Sequence, residues 1–300
     1  MTRLCEGRVA IVTGAGRGIG REHALMLATH GACVVVNDLG GAIDGSGAGT
    51  GPAHEVVAEI TAAGGRAVAN TDDISTFAGS ERLVAQALDT FGRLDVLVNN
   101  AGILRDRMLV NMTEAEWDAV ITVHLKGTFG PSHHAAAHWR DRVKRGEDVD
   151  ARIVNTSSPS GIYGNIGQTN YGAAKAGIAA FTIIAAMELA RYGVTVNAIA
   201  PAALTRMTEN LGMGDATAEA REQMGPRWIA PIVTWLASTE SASVTGRVFD
   251  VSGRALSVSE GWHRGPTADP VDDPERIGSV VLDLVGRARP NADMRGLDRN

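Results

Sequence analysis

The chain has 300 residues, 44% of them hydrophobic and 21% charged, with a formal net charge of -6. That is core material for one large or two small domains, and the acidic balance argues against a general nucleic-acid binder, which carries a basic patch. The two cysteines, Cys5 and Cys33, have no metal-ligand spacing; no apolar run reads as membrane-spanning, no apolar leader opens the chain and no peroxisomal address closes it, so a cytoplasmic protein with no metal and no membrane partner is expected.

In chain order, residues 9–12 are a short apolar run ending in glycines and read as a buried strand. A helix follows over 18–30, then a strand over 33–37 that ends at Asp38. Residues 40–52 are too glycine-rich for an element and read as a surface loop, with a substrate or cofactor rim as the lesser alternative. A helix over 53–63, a strand over 66–70 and a helix over 80–91 come next. Residues 94–99 are a fourth strand, 117–138 one long helix, and 140–150 a charged, exposed connection. A strand over 152–156, a helix over 171–192, a strand over 194–199, a helix over 228–238 and a last strand over 247–251 complete the pattern. Strands alternating with helices imply a doubly wound parallel sheet of the Rossmann type, with ligands at the carboxyl ends of the strands.

Residues 1–262 therefore read as one dinucleotide-binding domain and 263–300 as a tail. In the tail, Asp273 resembles an N-cap, with Pro274 at the first helical position. Ile277, Val280, Val281, Leu284 and Val285 fall on one stripe, so an amphipathic helix docked on the core or on a partner subunit is expected.

The chemistry-bearing groups gather where that pattern places ligands. TGAGRGIG, Thr13 to Gly20, follows a strand and opens a helix. Gly14 permits a tight turn, Gly18 a close pyrophosphate, and Gly20 close helix packing; the helix start supplies amide donors and positive charge. Asp38 can accept from both ribose hydroxyls of an adenosine and would repel a 2′-phosphate, and no arginine follows it. NAD is therefore expected over NADP. Asp73 and Ile74 end the third strand, where an adenine could rest, although turn chemistry explains the aspartates nearly as well.

Tyr171 and Lys175 are four residues apart and share a helix face, with Ser158 thirteen residues upstream. A free tyrosine has a pKa of about 10, and a neighbouring ammonium favours the phenolate. The trio suits proton exchange with an alcohol oxygen while hydride passes between substrate carbon and nicotinamide, without a metal. His124 reads equally as an interior residue or as part of a proton path. His133, His134 and His138 lack a completing carboxylate or cysteine and read as surface or interface residues, with Pro131 marking an irregular backbone.

TGAGRGIG, the Asn99–Gly102 string NNAG, Ser158 and the YxxxK of Tyr171 and Lys175 resemble the short-chain dehydrogenase/reductase family over about residues 7 to 253. The resemblance implies a Rossmann domain, a dinucleotide cofactor and a homodimer or homotetramer. It implies cofactor contacts from Gly14, Gly16, Arg17, Gly18, Ile19, Gly20, Asp38, Asp73, Ile74, Asn100, Ala101, Gly102, Tyr171, Lys175, Pro201 and Thr205, and catalysis by Ser158, Tyr171 and Lys175 with His124 standing where many members carry asparagine. The usual Pro-Gly after the sixth strand is Pro201-Ala202, and Thr205 is displaced by one position. Longer strings, VVVNDLGG, NAGILRDR and SGIYGNIGQTNY among them, resemble the (3R)-hydroxyacyl-CoA dehydrogenase part of the peroxisomal multifunctional enzymes of type 2. That likeness implies a free-standing NAD-dependent dehydrogenase of a secondary alcohol, a 3-hydroxyacyl-CoA or a 17β-hydroxysteroid. The rivals are a 3-oxoacyl-carrier-protein reductase and a catalytically silent dinucleotide-binding scaffold.

Overall fold

The computed structural model describes residues 3–204 and 217–298. Its centre is an eight-stranded sheet in the order β3-β2-β1-β4-β5-β6-β7-β8. The strands are β1 (Val9–Thr13), β2 (Cys33–Asn37), β3 (Arg66–Asn70), β4 (Val96–Asn99), β5 (Ala151–Thr156), β6 (Val194–Pro201), β7 (Val248–Val251) and β8 (Leu256–Ser259). The first seven run parallel; β8 returns antiparallel on β7. The chain crosses from β3 to β4 on the far side of β1, which opens a crevice between the carboxyl ends of β1 and β4.

Helices cover both faces. α1 (Gly18–Thr29), α2 (Gly51–Ala62) and, late in the chain, α9 (Ala230–Leu236) close one face around Val12, Val36, Val98 and Leu236. α3 (Phe77–Phe91), α5 (Gly127–Lys144) and α7 (Thr169–Leu189) close the other around Ile11, Leu97, Trp139 and Ile153. Ile11, Leu97, Ile153 and Ile199 are fully buried, each contributing on the order of 2 kcal/mol. α4 (Glu114–Ile121), the short α6 (Pro159–Ile162), α8 (Ala218–Gln223) and α10 (Pro274–Arg287) complete the set.

Several expectations change. The single helix over 117–138 is two helices, α4 and α5, joined by a π-turn over Thr122–Lys126. It starts earlier because Thr113 and Glu116 form a reciprocal capping box, and it runs on to Lys144, so part of the expected connection over 140–150 is helical. β8 was not expected at all. Helix α10 does begin at the Asp273 cap and Pro274, but none of its residues is buried and Ile277, Val281 and Val285 are exposed; it is not docked on the core. Finally, Thr169–Tyr192 is long and apolar enough to cross a membrane by length and composition, contrary to the sequence reading. Here it packs against β6 and α6, with Ala174, Lys175, Ile178 and Thr182 buried.

Candidate active site

A cavity of about 530 Å³ opens at the carboxyl ends of the strands. Its floor begins with the turn between β1 and α1. Gly14 has φ +62°, and a Cβ on Gly20 would lie 2.2 Å from the Gly14 carbonyl oxygen, so the helix packs onto the turn only because both are glycine. α1 starts without a side-chain cap and without an acid in its first turn. Its free amides are thus left for an anion, at the cavity wall formed by Gly14, Arg17, Gly18, Ile19 and Gly20. Gly16 does not line the cavity; its amide donates to Asp38 Oδ2 at 2.8 Å.

Asp38 lines the cavity just past β2, and its other oxygen accepts from the Gly40 amide at 2.7 Å. Asp73 and Ile74 both line it too, while Asp73 Oδ1 also accepts from the Ser75 amide at 2.9 Å, so the pocket reading and the turn reading both hold. Asn100, Ala101 and Gly102 sit opposite. The Asn100 side chain donates to the carbonyls of Thr13 and Gly14 at 3.0 and 3.1 Å, and Thr13 Oγ1 accepts from the amides of Asn100 and Ala101. This segment staples β4 to the glycine turn. Pro201 lines the cavity at the end of β6; Thr205 lies outside the described residues.

Ser158, Tyr171, Lys175 and His124 all meet in this cavity. Ser158 caps α6, its Oγ accepting from the Ser160 amide at 3.1 Å, and it is hydrogen-bonded to Tyr171. Lys175 is 3% exposed and its Nζ donates to the Thr156 carbonyl at 2.6 Å, 5.6 Å from the centre of the Tyr171 ring. The expectation that this lysine lowers the tyrosine pKa is corrected. Burial pushes Tyr171 up to about 12, opposed by its bond to Ser158. The same burial pushes Lys175 down to about 7, which disfavours the ammonium form that would favour the phenolate.

His124 stands in the π-turn with its ring edge-on to Tyr171, centroids 5.2 Å apart. It is 1% exposed, and burial pushes it down to about 3, so it is a neutral imidazole. Nε2 lies 2.8 Å from the Ile103 carbonyl, and Nδ1 has no partner among the described residues. A Cβ on Gly102 would come 2.3 Å from the ring, so the NNAG glycine makes room for the histidine. His133 and His134 instead lie tilted against Phe77, with ring centres 5.1 and 4.3 Å away, His133 exposed and His134 half-buried.

One loop follows the lesser of its two sequence readings, and two features escaped the sequence altogether. The glycine-rich loop is not only surface: Leu39, Gly41, Ala42, Ile43 and Gly45 form a cavity rim, tied down where Leu104 donates to the Ile43 carbonyl at 3.0 Å. A buried polar chain runs beneath the site, from Asn99 Nδ2 to Ser132 Oγ and Asn155 Oδ1, then from Asn155 Nδ2 to Thr182 Oγ1, each at 2.9 Å. Gln168 donates to Asp106 at 2.7 Å while accepting from Ser160 at 2.7 Å, which fixes the stretch between Ser158 and Tyr171. Polar residues at the ends of strands were the available signal for the buried chain; Met224 and Met294 also line the cavity, and nothing in the sequence pointed to Met294.

The chain matches the short chain dehydrogenase family over residues 8–216. It is 44% identical over 300 aligned positions to the hydroxyacyl-CoA dehydrogenase ChsB1 of Mycobacterium tuberculosis, covering 98% of this chain and 93% of that one. It is 46% identical to the peroxisomal multifunctional enzyme type 2 of Mus musculus, over 82% of this chain and 32% of that one. A crystal structure of a short chain dehydrogenase from Mycobacterium avium superposes with a TM-score of 0.87 at 52% identity, covering 96% and 98% of the two chains. Fold, cavity and sequence matches agree: the chain belongs to the short chain dehydrogenases.

Proposed function

We propose that this oxidoreductase is an NAD-dependent dehydrogenase of 3-hydroxyacyl-CoA thioesters, interconverting a secondary alcohol and a ketone. The observation that carries the reading is the convergence of Ser158, Tyr171 and Lys175 in one cavity with an uncapped helix start and an aspartate past β2. The residues fit a dinucleotide. The α1 amides suit its pyrophosphate, Asp38 the adenosine ribose, Ile74 the adenine, and Lys175 and Pro201 the nicotinamide end. Bound there, the nicotinamide would accept or return the hydride.

The protein's part is the proton. Ser158 holds the substrate oxygen by donating its hydroxyl, and Tyr171 exchanges the proton with that oxygen. With its pKa raised to about 12, the free phenol is ready to donate in the reducing direction throughout the neutral range. The oxidising direction needs phenolate, whose population rises about tenfold per pH unit below that value. Alcohol oxidation measured as kcat/KM should therefore climb steadily between neutral and pH 9, while ketone reduction stays flat. A falling oxidation limb over that range would contradict Tyr171 as the base.

The deciding screen offers NAD and NADP with 3-hydroxyacyl-CoAs of graded length beside 17β-hydroxysteroids. NAD reduction with the thioesters is the expected result. Preference for NADPH with a carrier-protein-bound 3-oxoacyl chain would favour the reductase instead, and tight NAD binding without turnover on any alcohol would favour a silent scaffold. A homodimer or homotetramer is part of the proposal, supported by apolar Phe129, Ile183, Ile184 and Met187 exposed on α5 and α7. So is a cytoplasmic location, which the free Cys5 and Cys33 suit.

A further inference from the structure

The far end of the chain returns to the cavity. Beyond α10, residues 288–298 form a compact turn. Asp293 donates its amide to the Leu297 carbonyl at 2.7 Å, Gly296 donates to the Asp293 carbonyl at 2.9 Å, and Asp293 Oδ1 accepts from the amides of Arg295 and Leu297. Arg289 and Asp298 close its base as an ion pair at 2.8 Å. From this turn Met294 reaches the cavity wall and is only 38% exposed, within a tail whose side chains are mostly in solvent.

The turn has a specific seat. Gly296 lies against the Tyr163 ring with φ +77°, and a Cβ there would meet the Tyr163 hydroxyl at 3.0 Å. That hydroxyl donates to Asp250 Oδ2 at 2.5 Å, and the same oxygen accepts from Ser259 Oγ at 2.5 Å. Tyr163 therefore joins β7 and β8 to the C-cap of α6, the helix that Ser158 opens. The seat is one short helix from Ser158, on the β7 side of the sheet. The groups suited to the adenosine and pyrophosphate of the dinucleotide lie on the other side, at β1, β2 and β3, and only its nicotinamide end reaches β6. Met294 thus belongs to the substrate side, where a thioether, soft and unbranched, can mould to a flexible chain.

We propose that the C-terminal turn is a fixed part of the substrate subsite, and that Met294 sets how much acyl chain the enzyme accepts beyond the reacting carbon. The proposal rests on the thioester reading above, and the test separates the two. In the full-length protein, kcat/KM is measured across acyl lengths for wild type, Met294→Trp, Met294→Ala and Gly296→Val. Met294→Trp should cut kcat/KM for long chains about tenfold relative to the shortest accepted one, a size typical of filling an apolar pocket. Met294→Ala should move the optimum to longer chains, and Gly296→Val, which unseats the turn, should flatten the length profile. A wild-type enzyme inert towards every acyl-CoA sinks the thioester reading; an active one whose length profile ignores all three substitutions sinks the role of Met294.

Discussion

The two walls of the cavity are built in opposite ways. The inner wall, from the glycine turn to Lys175, is made at strand ends and held by buried polar bonds, such as those of Asn100 to Thr13 and Gly14 and of Lys175 to Thr156. The outer wall, from Leu39–Gly45 to the C-terminal turn, is made of loops resting on the inner one through a few bonds and a tyrosine seat. Reacting atoms must be held within fractions of an ångström, so their supports are rigid elements. A chain of methylenes needs only volume, which loops can supply and change cheaply. Substitutions inside should therefore alter whether the reaction runs, and substitutions outside only what it runs on.

The harshest challenge to that contrast is Tyr171→Phe. It removes one hydroxyl and should cost about 10³-fold in kcat, within the range of a lost acid–base group, with NAD affinity by fluorescence titration unchanged. An outer-wall substitution such as Met294→Ala that cost as much on every substrate would break the division. Next in size is Asp38→Ala, which should weaken NAD about tenfold and narrow the gap to NADP, because the carboxylate's hydrogen bonds and its repulsion of a 2′-phosphate go together. Comparing the two KM values checks this; an unchanged ratio would remove Asp38 from cofactor choice.

The smallest expected effect is one on stability, at Lys175. Its folded pKa is depressed to about 7 from an ordinary 10.5, so the charged form is disfavoured by folding. Its stability contribution is complete above pH 10.5 and declines as pH falls towards 7. At neutral pH the buried amine costs stability, and Lys175→Met should raise it by about 1 kcal/mol while turnover collapses. Thermal melts at pH 7 and pH 10.5 should show the gain shrinking at the higher pH. A lower melting temperature at both would mean that the bond to Thr156 outweighs desolvation.

Much of the inner wall was legible. β2 and β3 fell where the sequence placed them, over 33–37 and 66–70, because short apolar runs bounded by turn residues have few other uses. The glycine turn, Asp38, Ser158, Tyr171 and Lys175 were legible because each is an unusual residue at a strand end or helix start. Depth was not. An i, i+4 spacing puts an amine beside a phenol but says nothing of how dry both become, and dryness decides both pKa values here. β8 is four residues of edge strand, with Leu256 and Val258 exposed. The C-terminal turn reaches Tyr163 across more than a hundred residues of chain, a distance that local patterns do not report.

The wide turn over Thr122–Lys126 has a consequence for the evolution of this scaffold. An added residue in a helix shifts everything after it by about 100° around the axis. α4 and α5 are therefore out of phase, and deleting one residue from the turn would restore a continuous rod at a cost: either His124 swings away from Tyr171, or Trp139 and its apolar neighbours roll off the sheet. The two faces are locked by a single miscounted step, so length changes in this helix should be purged.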